Sequence, residues 1–146
     1  MQWWRVSMAA LAGVLLALAL PACDPRSAQV TAAHAIALAG QRLSPALRAV
    51  EQDQGLDVID AAVDRGADEP AIRAALDQLE ARWAPTWAAL VVLRESIAAW
   101  LVAIEADSTG DWGALLGAAC RVLVVAKPLA PAELGALAGL VRGVCP

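Results

Sequence analysis

The sequence predicts an all-α fold: a small bundle of four to five helices with a bent central helix and a C-terminal α-hairpin. Three observations support it. Past residue 25, no stretch alternates apolar and polar residues as a half-buried strand does. Phe and Tyr are absent and alanine is abundant, so intrinsic propensity favours helix. The apolar residues recur at three- and four-residue spacings, between Pro, Gly and Asp positions that start or stop helices. A length of 146 residues fits one domain, large enough to bury a core without a metal. Residues 1–22 read as a signal peptide, and 23–146 as a single helical domain behind a short N-terminal tether.

Ser27 is a suitable N-cap for a first segment reaching about Leu43. Ser44-Pro45 pairs a capping residue with proline at a first helical position, which predicts a restart or kink. Leu47, Val50, Val58 and Ala62 continue one apolar face, while Asp53, Asp57, Asp60 and Asp64 form an acidic stripe. Gly66 ends the segment. Asp68 caps the next helix, with Pro70 in its first turn. Ile72, Leu76, Leu79 and Trp83 fall at i, i+4, i+7 and i+11, a strong amphipathic pattern. Pro85 should bend or interrupt this helix, because its ring clashes with the carbonyl of Ala81. The apolar face resumes at Trp87, Leu90, Leu93, Ile97, Trp100 and Ile104, giving one bent helix or two end to end. Arg94-Glu95-Ser96 at its centre argues against a transmembrane span.

Asp111 caps the stretch "WGALLGAACRVLVVA", which Lys127 and Pro128 close. Pro131 opens the last helix, with Glu133 near its favourable N-terminal end. Gly135, Gly139 and Gly143 recur every four residues, and Gly113 and Gly117 repeat that spacing in the preceding helix. Glycines in register let two backbones approach closely, at a propensity cost of about 1 kcal/mol each. The expectation is a tightly packed hairpin whose glycine-rich surface serves a protein partner or self-association.

Composition narrows function mostly by exclusion. Hydrophobic residues make up 60% of the chain and charged ones only 18%, so its surface is thinly charged and suited to cover by a partner or a membrane. The net charge is −4; removing residues 1–22 takes away only Arg5 and leaves −5. Such a body, without a basic run, repels nucleic acid. His34 is the only histidine and the three cysteines are far apart, so no zinc-like cluster forms. The acidic stripe lacks the ligand spacing of a calcium loop. No nucleophile elbow, Walker A or dinucleotide fingerprint is present. The chain therefore reads as a non-enzyme with no cofactor and no metal. Trp83 and Trp87, one turn apart, are candidates for aromatic contact with a sugar or a headgroup, or else large core residues.

The N-terminus gives an address. Val6 to Leu20 is an uncharged run of fifteen residues, spanning about 22 Å against a hydrocarbon core near 30 Å. That suits the apolar region of a signal peptide. Leu20-Pro21-Ala22-Cys23 resembles the lipobox of bacterial lipoproteins: a branched apolar residue at −3, a small one at −1 and cysteine at +1. Pro21 departs from the small residue usual at −2. The resemblance covers residues 1–23 alone. It implies removal of residues 1–22, diacylation of the Cys23 sulfur (palmitate being a typical chain) and a protein held at the periplasmic or outer face of a bacterial membrane. The alternatives are an uncleaved anchor over Trp3–Pro21, or an ordinary cut after Ala17-Leu18-Ala19 that leaves Cys23 a thiol.

Lipid on Cys23 leaves Cys120 and Cys145 as a candidate disulfide pair. In a straight hairpin turning near residue 128 they lie about 12 Å apart, so either the tail folds back after Gly143 or the thiols stay apart. The function expected is an exported, membrane-anchored envelope protein acting through protein contacts. Two alternatives accompany it. One is a periplasmic binder of a lipid-like molecule, with a cavity lined by Trp83, Trp87 or Trp100. The other is an accessory or lysis-related role, implied by a loose similarity in layout to small helical lipoproteins of phages and prophages.

Overall fold

The computed structural model describes residues 25–106 and 110–145. These form helix α1 (Pro25–Asp64), α2 (Glu69–Glu105), α3 (Trp112–Ala126), a 310 turn (Pro131–Leu134) and α4 (Gly135–Leu140), and no strand occurs among them. The protein is all-α. The signal segment 1–22, Cys23 and the start of the expected tether lie outside the described residues; α1 is already under way at Pro25. Helix α2 is the middle layer, packed on α1 along one side and on α3 along another, while the 310 turn and α4 lie chiefly against α1.

Of the alternatives expected at the two prolines, the restart at Pro45 and the division into two helices at Pro85 do not occur. Helix α1 runs for 40 residues through Pro45. A proline removes one intrahelical hydrogen bond, but Leu43 and Leu47 on either side of it are 4% and 0% exposed. Their burial against the rest of the bundle holds both halves helical, where propensity alone would divide them. Helix α2 likewise continues for 37 residues through Pro85, between the fully buried Trp83 and Thr86. It is one helix rather than two end to end. The Asp68 carboxylate accepts from the Ala71 N–H at 3.0 Å, and Asp111 accepts from that of Ala114 at 2.8 Å. Gly66, at φ +68°, supplies the left-handed residue that ends the α1–α2 turn.

The core joins Ile36 and Leu47 of α1, Trp83, Leu90 and Leu93 of α2, Leu115 and Val122 of α3, and Leu134, Leu137 and Val141 of the C-terminal segment. Polar links run through it. The Trp83 indole N–H donates to Gln54 Oε1 at 3.1 Å, and Gln54 Nε2 donates to the Leu129 carbonyl at 3.1 Å. Thr86 donates its hydroxyl to the Val125 carbonyl at 3.4 Å. Trp100 packs against Trp112, and its buried indole N–H has no acceptor among the described residues. Gly110 lies so close to the Trp100 ring that a side chain there would overlap it.

The C-terminal hairpin expected from the glycine spacing is replaced by a different arrangement. After α3 the chain forms the short 310 turn and a six-residue α4. A Cβ built at Gly117, Gly135, Gly139 or Gly143 meets nothing within 4 Å, and at Gly113 only the Asp111 carboxylate at 3.4 Å. These glycines therefore bring no two helices of this chain together. The buried set Leu134, Leu137 and Val141 governs instead, and it orients the segment largely towards α1. The short helix also resolves the cysteine geometry. Because α4 stops at Leu140 and Gly143 takes φ +84°, the chain turns back, and Cys120 and Cys145 are disulfide-bonded with Cα atoms 5.4 Å apart.

Two stability changes follow from these links. Gln54→Leu strands the Trp83 N–H and the Leu129 carbonyl, and urea denaturation should show a loss of roughly 1–3 kcal/mol for each group left unpaired. Opening the Cys120–Cys145 loop, whose sequence separation is 25, by replacing both cysteines with serine should cost about 3 kcal/mol by the same measurement.

Candidate functional site

The residues singled out from the sequence end up in separate places. Trp83 is fully buried and Trp87 half-buried, with ring centroids 5.9 Å apart and planes 26° from parallel. The Trp87 N–H donates to Glu51 Oε1 at 3.1 Å, and the Arg48 guanidinium sits 4.9 Å from the centroid of the Trp87 ring. Both indoles thus stitch α2 to α1, and Trp83 presents no face to a ligand. Asp53, Asp57, Asp60 and Asp64 are all exposed on α1. His34 is exposed too, with Nδ1 2.9 Å from the Val30 carbonyl. Among the described residues no group of three His, Cys, Asp or Glu side chains is placed to hold a metal. Of the three tryptophans expected to line a cavity, Trp83 and Trp87 are engaged by the Gln54 and Glu51 side chains, whereas Trp100 lines a shallow pocket of ≈ 310 Å³ with Val92, Glu95 and Asp111.

A groove does open elsewhere along the α1–α2 seam, with a volume of ≈ 460 Å³. One wall is Ala37, Gly40, Gln41 and Ser44 of α1; the other is Leu90, Leu93, Arg94, Ile97 and Leu101 of α2. The helices are antiparallel, since Gln54 meets Trp83 while Gly40 faces Leu93 and Ile97. The groove therefore has direction. Ser44, Leu90 and Arg94 lie towards one half, and Ala37, Ile97, Ala98 and Leu101 towards the other, with Gln41 between them. A Cβ at Gly40 would sit 3.7 Å from Leu93 Cδ2 and 3.8 Å from Ile97 Cδ1, so this glycine leaves room that a larger side chain would take. Arg94 is the only charged lining residue and has no ion-pair or hydrogen-bond partner among the described residues. The sequence carried a signal for this groove: small residues at 37, 40 and 44 share one face of α1 at three- and four-residue spacings.

The second distinctive surface is the outer face of α2. Ala84, Ala88, Val91, Val92, Ala99 and Val102 are all exposed, with Glu95 as the one charge interrupting them. Val91 is 52% exposed and Val102 64%. By length and composition α2 could cross a membrane, a test that buried core helices also pass. Its most apolar window has a mean hydropathy of 1.7, yet only 22% of that window is buried within the protein. A helix apolar all round normally has cover on all sides.

Among protein-family models, curated proteins and solved structures, none matches the chain. The functional reading therefore rests on the groove, the outer face and the chemistry of the chain itself.

Proposed function

We propose that the protein is an exported lipoprotein of the bacterial envelope that is tethered to the membrane and works through protein contacts rather than catalysis. The observation that carries this reading is the outer face of α2. It extends from Ala81 to Val102, about 30 Å at 1.5 Å per residue, and is almost uncharged. Exposed apolar surface of that extent marks a place where another molecule docks. Arg94 and Glu95, and the hydrogen bonds tying Trp83 and Trp87 to α1, favour a docked helix over one that leaves the bundle to span a bilayer.

The anchor reading rests on the lipobox resemblance at Cys23. The disulfide supports export, because such bonds persist in oxidising compartments. Helix α1 begins at Pro25, so a diacylated Cys23 would hold the helical body directly at the membrane surface. Within this reading the body is a small bundle in which Pro85 bends α2, and the bend sets the curvature of its outer face. The exposed glycines at 113, 117, 135 and 139 offer a second place for a partner backbone to approach closely.

Intact mass of the membrane-derived protein should show a diacyl increment that Cys23→Ser lacks; an unmodified, freely soluble wild type would refute the anchor. For the docking face, a photo-reactive side chain placed at Val91 should give a discrete adduct in native membranes. Ala88→Glu with Val92→Glu should reduce that adduct at least tenfold while leaving helix content and thermal midpoint unchanged. An adduct indifferent to the two charges would place the contact elsewhere.

A further inference from the structure

The α1–α2 groove has a chemistry that the docking face does not share. Its floor is apolar and its volume of ≈ 460 Å³ falls within the range of small-molecule sites. At roughly 30 Å³ for each water-sized group, it accommodates about fifteen such groups, the size of one medium-length acyl chain. From Leu90 to Leu101 it extends about 16 Å along α2, of which about 10 Å lies between Arg94 and Leu101. At its polar half stands a lone guanidinium, Arg94, with the Gln41 amide and the Ser44 hydroxyl as further donors. A cation with no partner among the described residues, beside an apolar trough, complements an anionic headgroup joined to a hydrocarbon tail, and a guanidinium suits a carboxylate particularly well.

We infer that this groove binds a free single-chain carboxylate amphiphile, a fatty acid, with its headgroup at Arg94 and its tail along Ala37, Ile97 and Leu101. Gly40 makes the trough. Its missing side chain and the small neighbours Ala37 and Ser44 leave the space between the helices, and Leu93 and Ile97 line the opposite side. The groove holds one chain only, so a two-chain phospholipid does not fit. This site is independent of the protein-contact reading: it uses the α1–α2 seam and not the outer face.

The test is photolabelling of the full chain, reconstituted in phosphatidylcholine vesicles, with dodecanoate carrying a diazirine near its tail end, followed by peptide mapping. Mapped to single residues, label should concentrate on the tail-end lining, Ala37, Ile97 and Leu101. Gly40→Leu and Ala98→Leu fill the trough from opposite walls, and each should lower labelling about tenfold; circular dichroism confirms that each variant is folded. Arg94→Gln should lower labelling by dodecanoate at least fivefold and leave labelling by the corresponding diazirine alcohol within twofold. Unlabelled dodecanoate should compete, whereas phosphatidylglycerol should not. Label on the outer-face side chains Val91, Val92 and Val102 instead of Ala37, Ile97 and Leu101, labelling unchanged in both folded filling variants, or equal competition by phosphatidylglycerol would each overturn the inference.

Discussion

The indole of Trp83 fixes the relation among the three long helices. It is fully buried, and a buried N–H must find an acceptor or cost the fold its desolvation. Gln54 of α1 accepts that proton, and its own amide nitrogen donates to the carbonyl of Leu129, just past the end of α3. One side chain on α2, one on α1 and one backbone group beyond α3 are thereby held in a single register. A one-residue slip of α1 along α2 would strand both the indole and the carbonyl. Thr86 repeats the constraint between α2 and α3. Apolar contacts alone, being non-directional, would tolerate several neighbouring registers.

The register has consequences at a distance. With Gln54 held at Trp83, antiparallel packing brings Gly40 opposite Leu93 and Ile97, about three to four turns further along. The groove is therefore set by a hydrogen bond outside it. The same packing turns Leu79, Leu90, Leu93 and Trp100 inward and leaves Val91, Val92 and Val102 outward. Helix α2 carries two apolar faces, and the bundle supplies cover for only one.

Much of the helical framework was legible in the sequence because its signals are local. Asp68 and Asp111 sit where a carboxylate satisfies the first free N–H groups, and the structure uses both as caps. The inward set on α2 follows directly from the three- and four-residue spacing. What the sequence misrepresented depends on tertiary packing. Ser44-Pro45 has the local chemistry of a helix start, yet buried Leu43 and Leu47 override it. The glycine spacing after Asp111 resembles a close-packing motif, yet whether a glycine meets another backbone depends on which way its helix faces, and these face open space. The Cys120–Cys145 pair was legible as a candidate, and the fold-back after Gly143 that it required is the alternative that occurs, but the sequence could not choose it for a related reason. The pairing depends on α4 ending after six residues, where one continuous helix would have carried Cys145 away.

Two glycines show how the groove differs from the core. At Gly110 a Cβ would overlap the Trp100 ring, so packing itself demands glycine. At Gly40 a Cβ would make only ordinary contacts, and alanine would favour the helix by about 1 kcal/mol. Packing therefore does not require glycine at position 40. What glycine provides there is volume, in the middle of a helix whose neighbours at 37 and 44 are also small. Space beside the apolar side chains of Leu93 and Ile97 forgoes dispersion contacts that a larger residue would recover. A bundle selected for stability alone would fill this seam. The seam instead stays open beside Arg94, which has no partner among the described residues.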